Sequence, residues 1–90
     1  MYCSTKGAIH SFTIALAIDE ARNGVRVNEV RPGHIRNEQF DMTAEKMSEE
    51  DASAFLELHK KLQWMGRGGT PEEVAKAVLF MASDWASFTT

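Results

Sequence analysis

Apolar residues in the first part of the chain recur at helical spacing. Ala8, Phe12 and Leu16 stand four apart with Ile9 beside them, and Ile14 and Ile18 carry the apolar surface further round. The pattern predicts a helix from about Ser4 to Ala21. Being apolar on more than one side, it needs more than one packing partner. Asn23-Gly24 ends it, because glycine takes the left-handed conformation that caps a helix. Val25-Arg26-Val27-Asn28-Glu29-Val30 then alternates apolar and polar and is rich in valine, which predicts a strand. Pro32-Gly33 closes it.

From His34 to about Met47 no clean period holds, and the reading is a long loop with room for one helical turn. Ser48 opens a second helix, with Glu49, Glu50 and Asp51 in the first turn, where negative charge complements the helix dipole. Ala52, Phe55, Leu56 and Leu62 are its apolar positions. Gly66-Arg67-Gly68-Gly69 reads as a flexible linker. Thr70-Pro71-Glu72-Glu73 follows with the sharpest local signal: a capping hydroxyl, a proline at the first helical position, and a glutamate that reaches back. Val74, Ala75, Val78, Leu79 and Ala82 make the apolar face of this third helix, and Asp84 to Thr90 is turn-like.

The predicted order is helix, strand, loop, helix, helix. A single strand leaves its amide and carbonyl groups without ladder partners, at about 1–3 kcal/mol for each buried orphan. The missing strands are therefore expected from residues outside these 90 or from another molecule.

Composition narrows the function classes. Ninety residues with 43% hydrophobic content suit one small unit with a thin core. A net charge of −3 opposes nucleic-acid binding, which needs a clustered basic face, and opposes a polybasic membrane-surface segment. A lone cysteine, Cys3, excludes an internal disulfide and fits a reducing compartment. No run reaches membrane-span length and the N-terminus does not read as a secretory signal, so the expectation is a cytoplasmic chain. His10, His34 and His59 lie too far apart for a recognisable metal motif, and no metal site is expected.

Tyr2 and Lys6 stand one helical turn apart and share a face. A phenol titrates near 10, and an ammonium close by favours its ionised form, which makes such a pair a usable general acid or base. Surface tyrosines and lysines at this spacing are common on helices, so context has to decide.

That context is a family resemblance. Tyr2-Cys3-Ser4-Thr5-Lys6-Gly7-Ala8 resembles the Tyr-x-x-x-Lys active-site segment of the short-chain dehydrogenase/reductase family. Gly24-Val25-Arg26-Val27-Asn28 resembles the strand after its catalytic helix, and Pro32-Gly33 the turn beyond it. Arg67-x-Gly69-x-Pro71-Glu72-Glu73-Val74-Ala75 with Phe80-Met81-Ala82-Ser83-Asp84 resembles its late helix, and Ala86-Ser87-Phe88-Thr89-Thr90 the segment beyond. The blocks run in register from Tyr2 to Thr90.

The resemblance implies an α/β fold: the C-terminal part of a Rossmann-type, doubly wound parallel sheet, with residues 1–90 one portion of a single domain whose dinucleotide-binding half is absent. It implies an oxidoreductase that interconverts an alcohol and a carbonyl by hydride transfer to or from NAD or NADP. Tyr2 then exchanges the substrate proton, while Lys6 lowers its pKa and holds the nicotinamide ribose. Pro32, Gly33 and the backbone of Ile35 lie beside the cofactor. Asn37 stands where the family usually has a threonine that contacts the carboxamide, and Arg31 where a small residue is common. The variable stretch from His34 to about Leu62 is the expected substrate region, with His34, Met42 and Met47 as contacts.

Cys3 is expected to be a small buried packing residue, and His10 to face solvent or an interface. The first helix is expected to pair with its counterpart in a homo-oligomer, so Phe12 and Leu16 are covered either by the absent domain or by a partner. Because the glycine-rich phosphate turn and the catalytic serine precede the tyrosine in this family, the 90 residues alone are expected not to turn over. The alternative is a non-catalytic truncated product or pseudoenzyme that at most associates with a full-length dehydrogenase subunit.

Overall fold

The computed structural model describes all 90 residues, Met1–Thr90. It contains four helices, α1 (Tyr2–Ala21), α2 (Glu38–Glu45), α3 (Glu49–Lys61) and α4 (Pro71–Ala82), followed by a 3-10 turn at Asp84–Ala86. The chain forms two compact units, one of Met1–Val30 with Ala77–Thr90 and one of Arg31–Lys76.

In the first unit α1 begins two residues earlier than its periodicity indicates and ends where glycine was expected to end it. Gly24 has φ 72°, the Gly24 amide donates to the Ala21 carbonyl, and the Val25 amide donates to the Glu20 carbonyl. Those two bonds close a Schellman motif, which needs a left-handed residue at that position. The helix has no buried residue, and Ile9, Phe12, Ile14 and Ile18 are all exposed.

The expected strand at Val25–Val30 does not form: no strand is present, and these residues have no regular secondary structure. The alternation there is real, but a strand exists only when a second segment supplies the ladder. Side chains anchor the stretch instead. Arg26 donates to the carbonyls of Met81 at 2.7 Å and Ser83 at 3.0 Å, placing a cation on the C-terminal carbonyls of α4. Asn28 Nδ2 donates to the Thr89 carbonyl at 2.8 Å, and the Val27 amide to Thr90 Oγ1 at 3.0 Å.

In the second unit α2 replaces most of the expected loop. Asn37 Oδ1 accepts the Phe40 amide at 3.0 Å as a cap, and Arg36 Nε donates to Asp41 Oδ1 at 2.7 Å across the first turn. α3 starts where Ser48 was expected to start it, with the Asp51 amide donating to Ser48 Oγ at 3.2 Å. α2 and α3 pack together through an aromatic cluster. Phe40 stacks on Phe55 with ring centres 4.9 Å apart, and His59 sits 4.2 Å from Phe55 and 4.6 Å from His34. The His59 Nδ1 lies 2.7 Å from the Phe55 carbonyl, which can only accept, so that nitrogen carries the hydrogen.

The Thr70–Glu73 capping box forms in full. The Glu73 amide donates to Thr70 Oγ1 at 3.2 Å, and the Thr70 amide donates to Glu73 Oε2 at 2.8 Å. The preceding glycine-rich stretch is not a free linker: Ile35 and Gly69 form an isolated parallel bridge.

Across the whole chain one residue, Ala86 at 1% exposure, is fully buried. Large apolar side chains that would normally fill a core stand in solvent, among them Phe12, Leu79, Trp85 and Phe88. Burial of such side chains is the main favourable term in folding, at about 1.5–3 kcal/mol each. The chain leaves most of that term unused.

Candidate active site

The start of α1 carries the candidate pair, Tyr2 and Lys6. Helical geometry puts residues four apart on one face, and Lys6 Nζ stands 5.6 Å from the centre of the Tyr2 ring. Tyr2 is 74% exposed and Lys6 is exposed, so both are open to a ligand. Thr5 Oγ1 donates to the Met1 carbonyl at 3.1 Å and supports the first turn. Cys3, expected to be buried, is exposed, because nothing in the 90 residues covers the opening turn of α1.

Further along α1, His10 Nδ1 lies 2.6 Å from Glu29 Oε1, a side-chain pair that joins the helix to the segment after it. Beside that pair a groove of about 460 Å³ opens along Ile14, Ala17 and Ile18 on one wall and Val27 on the other.

The remaining sequence-derived candidates lie in the Arg31–Lys76 unit. Pro32 and Gly33 are exposed, and His34 and Ile35 are half-buried. A methyl group on Gly33 would come within 2.7 Å of Gln63 Oε1. Gly33, His34 and Ile35 line a concavity of about 430 Å³ together with Trp64, Arg67 and Glu73. Asn37 commits its Oδ1 to the α2 cap, leaving its amide NH2 as the group it can offer to a ligand. His34 turns its ring toward Phe40 and His59, inside the aromatic cluster. Met42 is 54% exposed and Met47 is half-buried.

One residue pair that sequence reading passed over organises this unit. Arg67 donates through Nη1 to Glu73 Oε2 at 2.9 Å and through Nη2 to Glu73 Oε1 at 2.5 Å. With the Thr70 amide on the same carboxylate, Glu73 is held down to a pKa of about 2 from the ordinary 4.5, Arg67 being the largest cause. The pairing raises the Arg67 guanidinium in turn. No cluster of three or more histidine, cysteine or acidic side chains is placed to hold a metal ion, and no helix is long and apolar enough to cross a membrane.

A family model described as "Enoyl-(Acyl carrier protein) reductase" matches residues 1–90. A solved structure, a short chain dehydrogenase family protein from Francisella tularensis subsp. tularensis SCHU S4, superposes with a TM-score of 0.82 at 32% identity, covering 99% of this chain and 38% of that one. The chain belongs to the short-chain dehydrogenase/reductase family. Among curated short-chain dehydrogenase/reductase relatives it is 43% identical over 89 residues to the uncharacterized oxidoreductase YxbG of Bacillus subtilis (strain 168). That match covers 99% of this chain and 33% of the relative. It is 45% identical over 89 residues to L-fucose dehydrogenase of Mus musculus, covering 99% of this chain and 32% of that protein. The chain therefore spans about a third of the length of the curated relatives it matches.

Proposed function

We propose that these 90 residues form the catalytic-tyrosine third of a short-chain dehydrogenase/reductase subunit, one that interconverts an alcohol and a carbonyl using NAD or NADP. The observation that carries the proposal is the Lys6 ammonium standing over the Tyr2 ring on an open helix face. The bare apolar surface supports it as well, since a chain with one buried residue is one whose packing partners lie elsewhere. Val25–Val30 joins, in this proposal, a parallel sheet whose other strands come from the rest of the subunit. The faces of α1 are covered by that sheet and by the same helix of a second subunit.

The residues present fit one end of a nicotinamide nucleotide. A phenol hydroxyl and an ammonium are suited to ribose hydroxyls and to a reacting oxygen. The Pro32-Gly33 turn is exposed, and the side chain lying against Gly33 is the polar amide of Gln63. The chain has no glycine-rich turn leading from a strand into a helix, the element that cradles a pyrophosphate. When bound, the nucleotide supplies or accepts the hydride.

This chain's residues do the rest. The Tyr2 hydroxyl takes the proton from the substrate alcohol in one direction and returns it to the carbonyl oxygen in the other. The Lys6 ammonium offsets the negative charge that passes through the Tyr2 oxygen and donates to the ribose. Pro32, Gly33 and the Ile35 backbone line the nicotinamide, with the Asn37 amide available to its carboxamide. His34, Met42 and Met47 border the small-molecule substrate.

The test is a chimera in which residues 1–90 replace the matching third of mouse L-fucose dehydrogenase. Assayed with NAD and NADP against a panel of sugar and secondary alcohols, a folded chimera should form reduced nucleotide continuously. A folded chimera that binds nucleotide and turns over nothing would favour a non-catalytic role and overturn the proposal.

A further inference from the structure

We propose that Arg67 and Glu73 are positioning residues, a latch that fixes the backbone from Gly33 to Arg36. The proposal rests on the reading that this stretch lies against the nicotinamide. It begins from two glycines that ought to be mobile. Gly68 and Gly69 have the largest conformational freedom to lose, yet both are pressed flat on the segment before α2. The Gly69 amide donates to the His34 carbonyl at 2.9 Å, and the Arg36 amide donates to the Gly69 carbonyl at 2.9 Å. Ile35 is gripped between those two bonds.

The approach is close. A methyl group on Gly69 would stand 2.8 Å from Ile35 Cδ1, and one on Gly68 would stand 3.0 Å from His34 Cδ2. Glycine at both positions leaves this contact uncrowded, and it brings flexibility that something must restrain. Arg67 on one side and Thr70 with Glu73 on the other close the loop. Both guanidinium Nη atoms and the Thr70 amide converge on one carboxylate. A bidentate Arg–carboxylate pair fixes direction as well as distance.

Magnitudes separate positioning from stabilising. The two side chains are 50% and 44% exposed, and exposed ion pairs contribute little to stability. Placement at a reacting centre is a different matter, because an error of about 1 Å can cost on the order of a hundredfold in rate. Loss of the latch should therefore leave the fold standing and misplace the turn.

The experiment uses the chimera with Arg67→Ala, Arg67→Lys and Glu73→Gln, and a deuterated alcohol. Arg67→Ala should lower kcat about tenfold, change the nucleotide KM by less than about twofold, and raise the primary deuterium isotope effect as hydride transfer becomes limiting. Arg67→Lys, which keeps charge and loses the fork, should recover only part of the rate. A parallel loss of activity and thermal stability with an unchanged isotope effect would overturn the positioning role. Amide hydrogen exchange judges the latch whether or not the chimera turns over. The Arg36 and Gly69 amides should be protected in the parent and exchange about tenfold faster in Arg67→Ala, with α3 unaffected. Equal exchange in the two proteins would overturn the latch itself, whereas a silent parent with protected amides would count against the catalytic reading alone.

Discussion

Lys6 Nζ stands 5.6 Å from the centre of the Tyr2 ring, one turn along α1, with both side chains open to solvent. In the proposed function one cation serves two neighbours, the tyrosine on its own helix and a nucleotide lying over both. Lys6→Ala in the chimera should therefore lower kcat and raise the nucleotide KM together, with kcat falling about a hundredfold or more. Lys6→Met, which keeps the stem and loses the charge, should do the same. Steady-state kinetics with varied nucleotide checks it, and a change confined to KM would assign Lys6 to binding alone.

The Glu73 carboxylate gives a pH prediction. Its folded pKa of about 2 lies below the ordinary 4.5, so the stability it contributes is fully present above pH 4.5 and is lost as pH falls toward 2. Carboxyl-detected NMR titration of the chimera should place Glu73 near 2. In Arg67→Ala its midpoint should rise toward the ordinary range yet stay below it, because the Thr70 amide remains.

Asn37 caps α2 through Oδ1, and the proposed function gives its NH2 a second task that variants can separate. Asn37→Asp keeps the acceptor for the Phe40 amide and loses the NH2 donor, so stability should hold while the nucleotide KM rises. Asn37→Ala loses both and should also cost about 1 kcal/mol in denaturant unfolding. Equal nucleotide KM values for Asn37, Asp and Ala would remove Asn37 from the cofactor contacts.

The 90 residues by themselves should show no saturable binding of NADH or NADPH. They carry no phosphate-cradling turn, and the pyrophosphate supplies much of a dinucleotide's grip. Nucleotide fluorescence titration reads this directly. Micromolar affinity would mean that the chain binds the cofactor in a way the present account lacks.

Local signals were legible in the sequence and non-local ones were not. Gly24, Ser48 and the Thr70–Glu73 box each act within a few residues, and each ends or starts a helix as read. The strand at Val25–Val30 was read from a true alternation, but its existence depends on partners that these residues do not include. Two-turn α2 is hard to read because eight residues are too few to establish a period, and Phe40, Met42 and Ala44 stand two apart. Its signal is the Asn37 cap with Glu38 and Asp41 in the first turn. The glycine linker looked free because what restrains it, the His34 and Arg36 backbone, lies about 35 residues earlier. The meeting of His34, Phe40, Phe55 and His59 is tertiary in the same sense. Of the candidate site, the Tyr2–Lys6 spacing was visible at once, whereas the Arg67–Glu73 fork needed coordinates.

The identity of the proton carrier is the claim most directly open to measurement. Turnover of the chimera should be compared between the parent and Tyr2→Phe under saturating nucleotide and alcohol. The ring and its packing under Lys6 remain while the exchangeable hydrogen is gone, so the rate should fall by about three orders of magnitude with nucleotide affinity little changed. A Tyr2→Phe protein that retains the parent's rate would contradict proton exchange at Tyr2.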